Sequence, residues 1–455
     1  MLKILETRTI ARQLGLIPLL AAAIILPCSA ATPALTTLYN FTDLADGGFP
    51  EAGLALGAGG SIFGTTSTGA SGWGSVFELV PSNGGATWTE VTLYDFTGGV
   101  DGGDPVAGLV IGKNNVLYGT TYYGGAHGYG TVFQLAPSAG GGVWTEKVLY
   151  SFANGSDGAY PAAGLVLNTS GVLYGTTYGG GVAGFGTVFA LIPSQSGWSE
   201  TVVHTFLGGN DGTNPLANLT LSTNGTLYGT TSQGGQYIVT NDPPYCTTSQ
   251  PCTVDGWGII FQLTAIGGGA WNETVLYTFT GGTDGGSPES AMVLGQSGAL
   301  YGNAFWGGNV TACPESDYPQ GCGAVYQLVP PTGGGKTWTE SVLYAFTGHS
   351  PDGSHPYGNL GINASGELFG TTFSGGANVT VCFPEAYTGC GTIFYVKPPA
   401  APGGKWTKNN IVAFPGSPGG GAPNGIALAK GGNMYGTTIE GGLDGGYGTV
   451  FLMTP

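Results

Sequence analysis

Beyond its first thirty residues the chain has no arginine, and its positive charge is limited to seven lysines. Set against 25 acidic residues, these leave a net charge of −18. Nucleic acid is thereby excluded as a partner, because phosphate binding rests on clustered lysine and arginine. Long apolar runs are equally scarce. After the leader none reaches the ~18 residues of a spanning helix, so no transmembrane segment is expected in the mature chain. The four histidines, His127, His204, His349 and His355, occupy four different sequence settings, which gives no recurring metal-ligand element. Nothing points to a paired-carboxylate or nucleophile motif, and no catalytic residue is assigned.

What the chain has in abundance is glycine, 89 residues, with 28 prolines. Such a share borders on low complexity, but aromatics at 11% and hydrophobics at 41% are too many for a disordered chain. The glycines mark turns. Residues 1–30 stand apart: Lys3, Arg8 and Arg12 precede an apolar run from Leu14 to Leu26, followed by Cys28-Ser29-Ala30-Ala31. This is the layout of a secretory signal peptide, and it predicts export, with the protein secreted, periplasmic or at the cell surface. Pro27 fits poorly in front of a lipidated Cys28.

The six later cysteines form three close pairs, Cys246–Cys252, Cys313–Cys322 and Cys382–Cys390. In an oxidising compartment these read as three local disulfides. Metal binding is the competing reading, but C-x-x-C spacing is absent and no histidine is near in sequence.

One unit recurs seven times. Its marker is an aromatic residue followed by glycine, usually with two threonines after it. The glycines are Gly64, Gly119, Gly175, Gly229, Gly302, Gly370 and Gly436, at spacings of 55, 56, 54, 73, 68 and 66 residues. A period of this size, rich in short strands, is that of a propeller blade. The third copy shows four strands: A in Gly164–Leu167, B in Val172–Thr177, C in Gly186–Leu191 and D in Trp198–Phe206. In the preceding D strand, alternation places Trp144, Val148, Tyr150 and Phe152 on one face, with Thr145, Lys147 and Ser151 on the other. Trp88, Trp144, Trp198, Trp271, Trp338 and Trp406 share one repeat position and are expected to fill the gaps between blades.

At the ends, Leu38–Phe41 reads as a D strand without A, B or C, and Gly448–Leu452 as a C strand without D. The two ends complete each other. The prediction is an all-β, seven-bladed propeller of four-stranded blades, a single domain over residues 31–455, with the N-terminal strand completing the last blade and leaving no open edge.

The strings Leu117-Tyr118-Gly119-Thr120-Thr121 and Gly130-Thr131-Val132-Phe133 recur almost unchanged. On these, and on the Asp-Gly element that follows the D strand in six copies and is missing before Gly421-Ala422-Pro423, the chain from about residue 36 to 455 resembles the Gloeo/Verruco (GloVer) tandem-repeat family of exported bacterial proteins. That resemblance implies a repeat architecture and export, and it brings no catalytic residues with it.

Antiparallel strand order puts the D–A and B–C connections on one face. The D–A loops carry Asp46, Asp101, Asp157, Asp211, Asp284 and Asp352, each followed by glycine and then proline three residues further on. Asp-Gly is first a turn dipeptide. The sharper alternative is a ring of carboxylates facing Ca²⁺, although calcium needs six to eight oxygen ligands and single aspartates on separate blades do not supply them. No cofactor is assigned. The B–C loops present Trp73, Tyr129, Phe185, Trp257 and Tyr447 between glycines, with Trp306 nearby, while Cys322 and Cys390 take that position in copies five and six. Copies four to six also insert their cysteine segments there, and insertions confined to one side of a repeat protein mark its binding side.

These aromatics are the candidate ligand contacts. The leading functional reading is an exported, monomeric, non-catalytic binding or scaffold protein that takes an extracellular polysaccharide or a surface protein on the D–A/B–C face. A polysaccharide lyase or glycoside hydrolase is the first alternative, and a structural or adhesive surface protein the second.

Overall fold

The structure, a computed structural model, describes residues 33–138, 142–235, 256–313, 321–333, 335–377, 382, 389–401, 403–443 and 446–454. The segment expected to be a signal peptide, Cys28 and the expected Cys246–Cys252 pair lie outside the described residues.

Seven antiparallel sheets follow one another along the chain, each ordered A-B-C-D, with 3-10 turns as the helical elements described. Blade 3 is typical, with A at Val166–Leu167, B at Leu173–Thr177, C at Thr187–Ser194 and D at Gly197–Thr205. The ring closes as the sequence predicts: Ala34–Asn40 pairs antiparallel with Thr449–Thr454, Ala34 opposite Thr454 and Asn40 opposite Thr449. Seven complete blades result.

The recurring residues each have a place. A Cβ on Gly119 would lie 2.6 Å from the Phe133 ring, so glycine in strand B is the seat for the aromatic of strand C. The first threonine after it reaches the next blade. Thr65 Oγ1 donates to the Ala107 carbonyl (3.1 Å), Thr120 to Ala163 (3.1 Å) and Thr230 to Pro288 (2.9 Å). Thr437 does the same across the closing seam to Ala52 (3.0 Å). The second threonine ties B to C within the blade, as Thr121 Oγ1 does by accepting the Thr131 amide (3.2 Å). All these oxygens are buried, where an unmade hydrogen bond is costly.

The tryptophans fill the seams. Trp144, Trp198, Trp271 and Trp338 each meet, edge to face, the strand-B aromatic of the preceding blade, namely Phe63, Tyr118, Tyr174 and Tyr228, at 5.9–6.1 Å. Trp406 does so with Tyr301 (5.9 Å), and Trp88 with Tyr435 (6.3 Å) across the closure.

Simple alternation along strand D is corrected. Val132 pairs with Tyr150 and Phe133 with Val148, which leaves Leu149 as a β-bulge, and the same shift occurs in every D strand. The extra residue flips the face. Trp144 therefore packs with Phe63 and Phe133 toward blade 1, whereas Tyr150 and Phe152 pack with Leu165 and Phe189 toward blade 3. One strand thus serves both of its seams.

The A strands line the axis. Five are only two residues long, and residues from all seven blades, from Glu51–Leu54 round to Asn424–Ala427, wall an axial cavity of about 230 Å³.

Candidate functional site

The D–A and B–C loops are joined on one face by short bridges, Gly48 to Thr68, Gly103 to Tyr123, Ala159 to Gly179, Thr213 to Gln233 and Gly286 to Trp306. Each Asp-Gly carboxylate is engaged in its own turn. Asp46 accepts from the Tyr39 hydroxyl (3.0 Å) and the Thr42 amide (3.0 Å). Asp101 accepts from Tyr94 (3.2 Å) and Thr97 (2.9 Å), and Asp157 from Tyr150 (3.2 Å) and Ala153 (2.7 Å). Asp211 bonds His204 Nε2 (3.1 Å) and the Leu207 amide (2.7 Å), and Asp284 accepts from Tyr277 (3.0 Å) and Thr280 (2.8 Å). Asp352 accepts from Tyr344 and Thr347, both at 2.9 Å, and pairs with Lys408. The aspartates stand on separate blades. Among the described residues no group of three or more His, Cys, Asp and Glu is placed to hold a metal ion.

The B–C aromatics sit at the blade seams. A Cβ on Gly98, at φ 72°, would fall 2.3 Å from the central atoms of the Trp73 indole, so the next D–A loop lies against one face of this ring only because that residue is glycine. Phe185 lies likewise on Gly208 and Trp257 on Gly281. Tyr129 packs against Tyr160 (5.6 Å) and Tyr447 against Phe49 (5.6 Å). Trp306, one bridge away, packs on His355 (4.7 Å) and Phe305 (5.0 Å). In blades 5 and 6 the disulfides Cys313–Cys322 and Cys382–Cys390 take the place of the ring, with the sulfurs over Gly348 and Gly421. Most of these aromatics are half-buried. Trp73 is 43% exposed, and with the equally exposed Tyr123 it borders an open cleft of about 480 Å³ floored by Gly98, Gly99, Gly124, Gly125 and Gly128.

A second set of residues on this face escapes the repeat consensus. The residue before each D–A proline has a left-handed backbone in all seven blades, although none is glycine: Phe49, Asp104, Tyr160, Asn214, Ser287, His355 and Ala422, with φ between 51° and 58°. For bulky side chains this is strained. The strain is held by two hydrogen bonds: the Tyr160 amide donates to the Tyr129 carbonyl (2.9 Å), and the Tyr178 amide donates to the Tyr160 carbonyl (3.0 Å). Backbone geometry is thus constant while the side chain differs in every blade. The residues after the proline, Glu51, Val106, Ala162, Leu216, Glu289, Tyr357 and Asn424, are nearly as varied, with only glutamate occurring twice.

These varied residues converge where the axial channel opens. Glu51, Asp104, Val106, Tyr122, Ala162, Leu216, Glu289 and Tyr357 enclose a mouth of about 240 Å³. Burial raises the pKa of Glu51, with Asp104 adding repulsion and a hydrogen bond from Ser67 opposing it. Burial likewise raises Asp104 and Glu289, the latter accepting from Ser287 Oγ (3.0 Å). Tyr357 is raised by burial and by both Glu289 and Glu51. Tyr122 stacks on Tyr160 (5.2 Å, 27°). His355, held beside Ser374 Oγ (3.0 Å), is kept neutral by burial, its pKa lowered to about 4. The mouth therefore offers carboxyls able to donate or accept, a phenol and apolar patches. Sequence reasoning from the repeat missed it, because attention to what recurs passes over the positions that do not. The signal was present in the prolines, whose preceding residue changes in every copy and whose following residue repeats only as Glu51 and Glu289.

No curated protein matches the chain by sequence. Among solved structures it is similar to a Thermus thermophilus protein assigned as an oxidoreductase (glucose dehydrogenase), at 14% identity over 93% of this chain and 100% of that one, TM-score 0.42. It is also similar to a Xanthomonas campestris gluconolactonase, at 14% identity over 76% and 87%, TM-score 0.40. A Dyadobacter fermentans protein of unknown function is similar at 10% identity over 93% and 99%, TM-score 0.43. Residues 24–241 match the Gloeobacter/Verrucomicrobia repeat, and the same unit is carried on through all seven blades.

Proposed function

We propose that this is an exported carbohydrate-binding propeller that engages an extracellular polysaccharide on its D–A/B–C face without cleaving it. The observation that carries this reading is the cleft between Trp73 and Tyr123. Two aromatic side chains, each 43% exposed, border a floor of glycine; one face of the Trp73 indole rests on Gly98, and its exposed part together with Tyr123 is available to a flat, partly apolar ring. Sugar rings present such a face, and aromatic stacking with polar groups close by is how they are recognised. Trp257, Phe185, Tyr129, Tyr447 and Trp306 extend the surface around the ring at lower exposure. Calcium has no part in this reading, since the six loop aspartates already serve their turns.

An enzymatic reading is favoured by a different observation, the half-buried carboxyls of Glu51, Asp104 and Glu289 beside Tyr357. A glycan array combined with a reducing-end assay on the same polysaccharides separates the readings. Binding without product supports the proposal, product formation supports a lyase or hydrolase, and silence in both supports an adhesive or structural role.

A further inference from the structure

Given the carbohydrate reading, on which this inference rests, the channel mouth narrows the class of sugar. Its wall carries three carboxyls from blades 1, 2 and 5, and no lysine. Glu51 faces the charge of Asp104, and Tyr357 faces both Glu51 and Glu289. The Tyr357 side chain is partly buried, yet its hydroxyl has no hydrogen-bond partner among the described residues. Tyr122 presents a ring, and Val106 and Leu216 supply apolar wall.

What this cavity lacks is a counter-charge. A ligand with hydroxyls alone would leave the mutual repulsion of the carboxyls uncompensated, and a uronate or sulfated sugar would increase it. The mature chain, at −18, repels polyanions at long range as well. A ring bearing an ammonium group supplies a positive charge to the carboxyls, hydrogen-bond donors and acceptors to Tyr357, and a cation for the face of Tyr122.

We propose that the mouth of the axial channel binds the ammonium-bearing ring of an amino sugar, so that the polysaccharide recognised is a deacetylated hexosamine polymer. The test is calorimetric titration of the mature chain with short glucosamine oligomers, with their N-acetylated counterparts, with neutral glucose oligomers and with spermidine. The expected result is about tenfold tighter binding of the deacetylated oligomer than of the acetylated one, a preference that shrinks as salt is raised past roughly 0.3 M. Binding should also release protons, because a bound cation favours the ionised carboxyls. Glu51→Gln and Glu289→Gln should each weaken the deacetylated oligomer about fivefold, with thermal unfolding used to verify that both variants fold.

Equal affinity for acetylated and deacetylated oligomers overturns the proposal, as does full affinity in the double variant or competition by spermidine as effective as that of the sugar. If neutral oligomers bind and amino sugars gain nothing, this inference fails alone. If no sugar binds, the carbohydrate reading fails with it.

Discussion

Gly119 and Thr120 are adjacent, but they stabilise different interfaces, one within a blade and one between blades. Gly119→Ala places a methyl group 2.6 Å from the Phe133 ring, which cannot retreat from a closed core. Overpacking of this kind costs about 1–3 kcal/mol, to be read from denaturant unfolding. Thr120→Val keeps the shape but removes the hydrogen bond to the Ala163 carbonyl, and a loss of about 1–2 kcal/mol is expected, without change in the blade core. For the candidate site, Trp73→Ala and Tyr123→Ala should each weaken glycan binding about tenfold, consistent with one lost stacking contact. Trp257→Ala should cost less affinity and more stability, since its ring, seated on Gly281 as Trp73 is on Gly98, is less exposed. Unchanged glycan affinity in a Trp73→Ala, Tyr123→Ala double variant would remove the cleft from the mechanism.

Strand D shows what an element decides that its residues do not. Read singly, Trp144, Val148, Tyr150 and Phe152 look like one apolar face. The bulge at Leu149 splits them between two seams, because pairing with strand C sets the register and the twist of the blade demands an extra residue. The closing strand, in contrast, was legible, since an orphan D strand at one end and an orphan C strand at the other leave a single way to pair all edges. Removing residues 33–41 should expose the edge of Thr449–Thr454 and produce aggregation, visible by light scattering, along with loss of cooperative unfolding. The cysteines mark a substitution in kind: Cys313–Cys322 and Cys382–Cys390 occupy the glycine seat that a ring fills elsewhere. Each closes a short loop, so replacing Cys313 and Cys322 together by serine should cost roughly 2–3 kcal/mol, measured by chemical denaturation.

At the scale of the whole ring, a single electrostatic motif repeats. Glu90, Glu146, Glu200, Glu273 and Glu340 project from strand D, and their carboxyls are raised to about 7, chiefly by burial and then by the loop aspartate of the neighbouring turn. In four of them, Glu146, Glu200, Glu273 and Glu340, Oε1 is buried without a hydrogen-bond partner. A raised carboxyl favours the fold when protonated. The contribution is complete below the unfolded value of about 4.5 and is lost as pH climbs through about 7. The melting temperature should therefore fall by several degrees between about pH 5 and pH 8, moderated by solvent because these side chains are only half-buried. Glu146→Gln combined with Glu200→Gln should flatten that profile, raising the melting temperature on the alkaline side. Blade 6 places Lys408 where blades 1 to 5 carry glutamate, and its ammonium pairs with Asp352 and lies 5.3 Å from the Tyr344 and Phe346 rings. Lys408→Glu should steepen the pH loss, while a flat profile in both parent and variant would rule out the acid pairs as a source of instability.

The sequence by itself determined the blade, the number of blades and the way the ring closes, because each depends on local, repeating chemistry: glycine under an aromatic ring, threonine reaching a neighbouring carbonyl, and an unpaired strand at either end. It also marked the loop face and placed two cysteine pairs that the structure joins. Only the tertiary structure decided where a ligand-sized space lies. Glu51, Asp104, Tyr122, Glu289 and Tyr357 come from four blades and are separated by up to 306 positions in the chain, from 51 to 357, so no local pattern relates them. They meet because seven D–A loops bring the residues beside their prolines to a common axis, and closing the ring removes water from carboxyls that, in the extended chain, would have been ordinary.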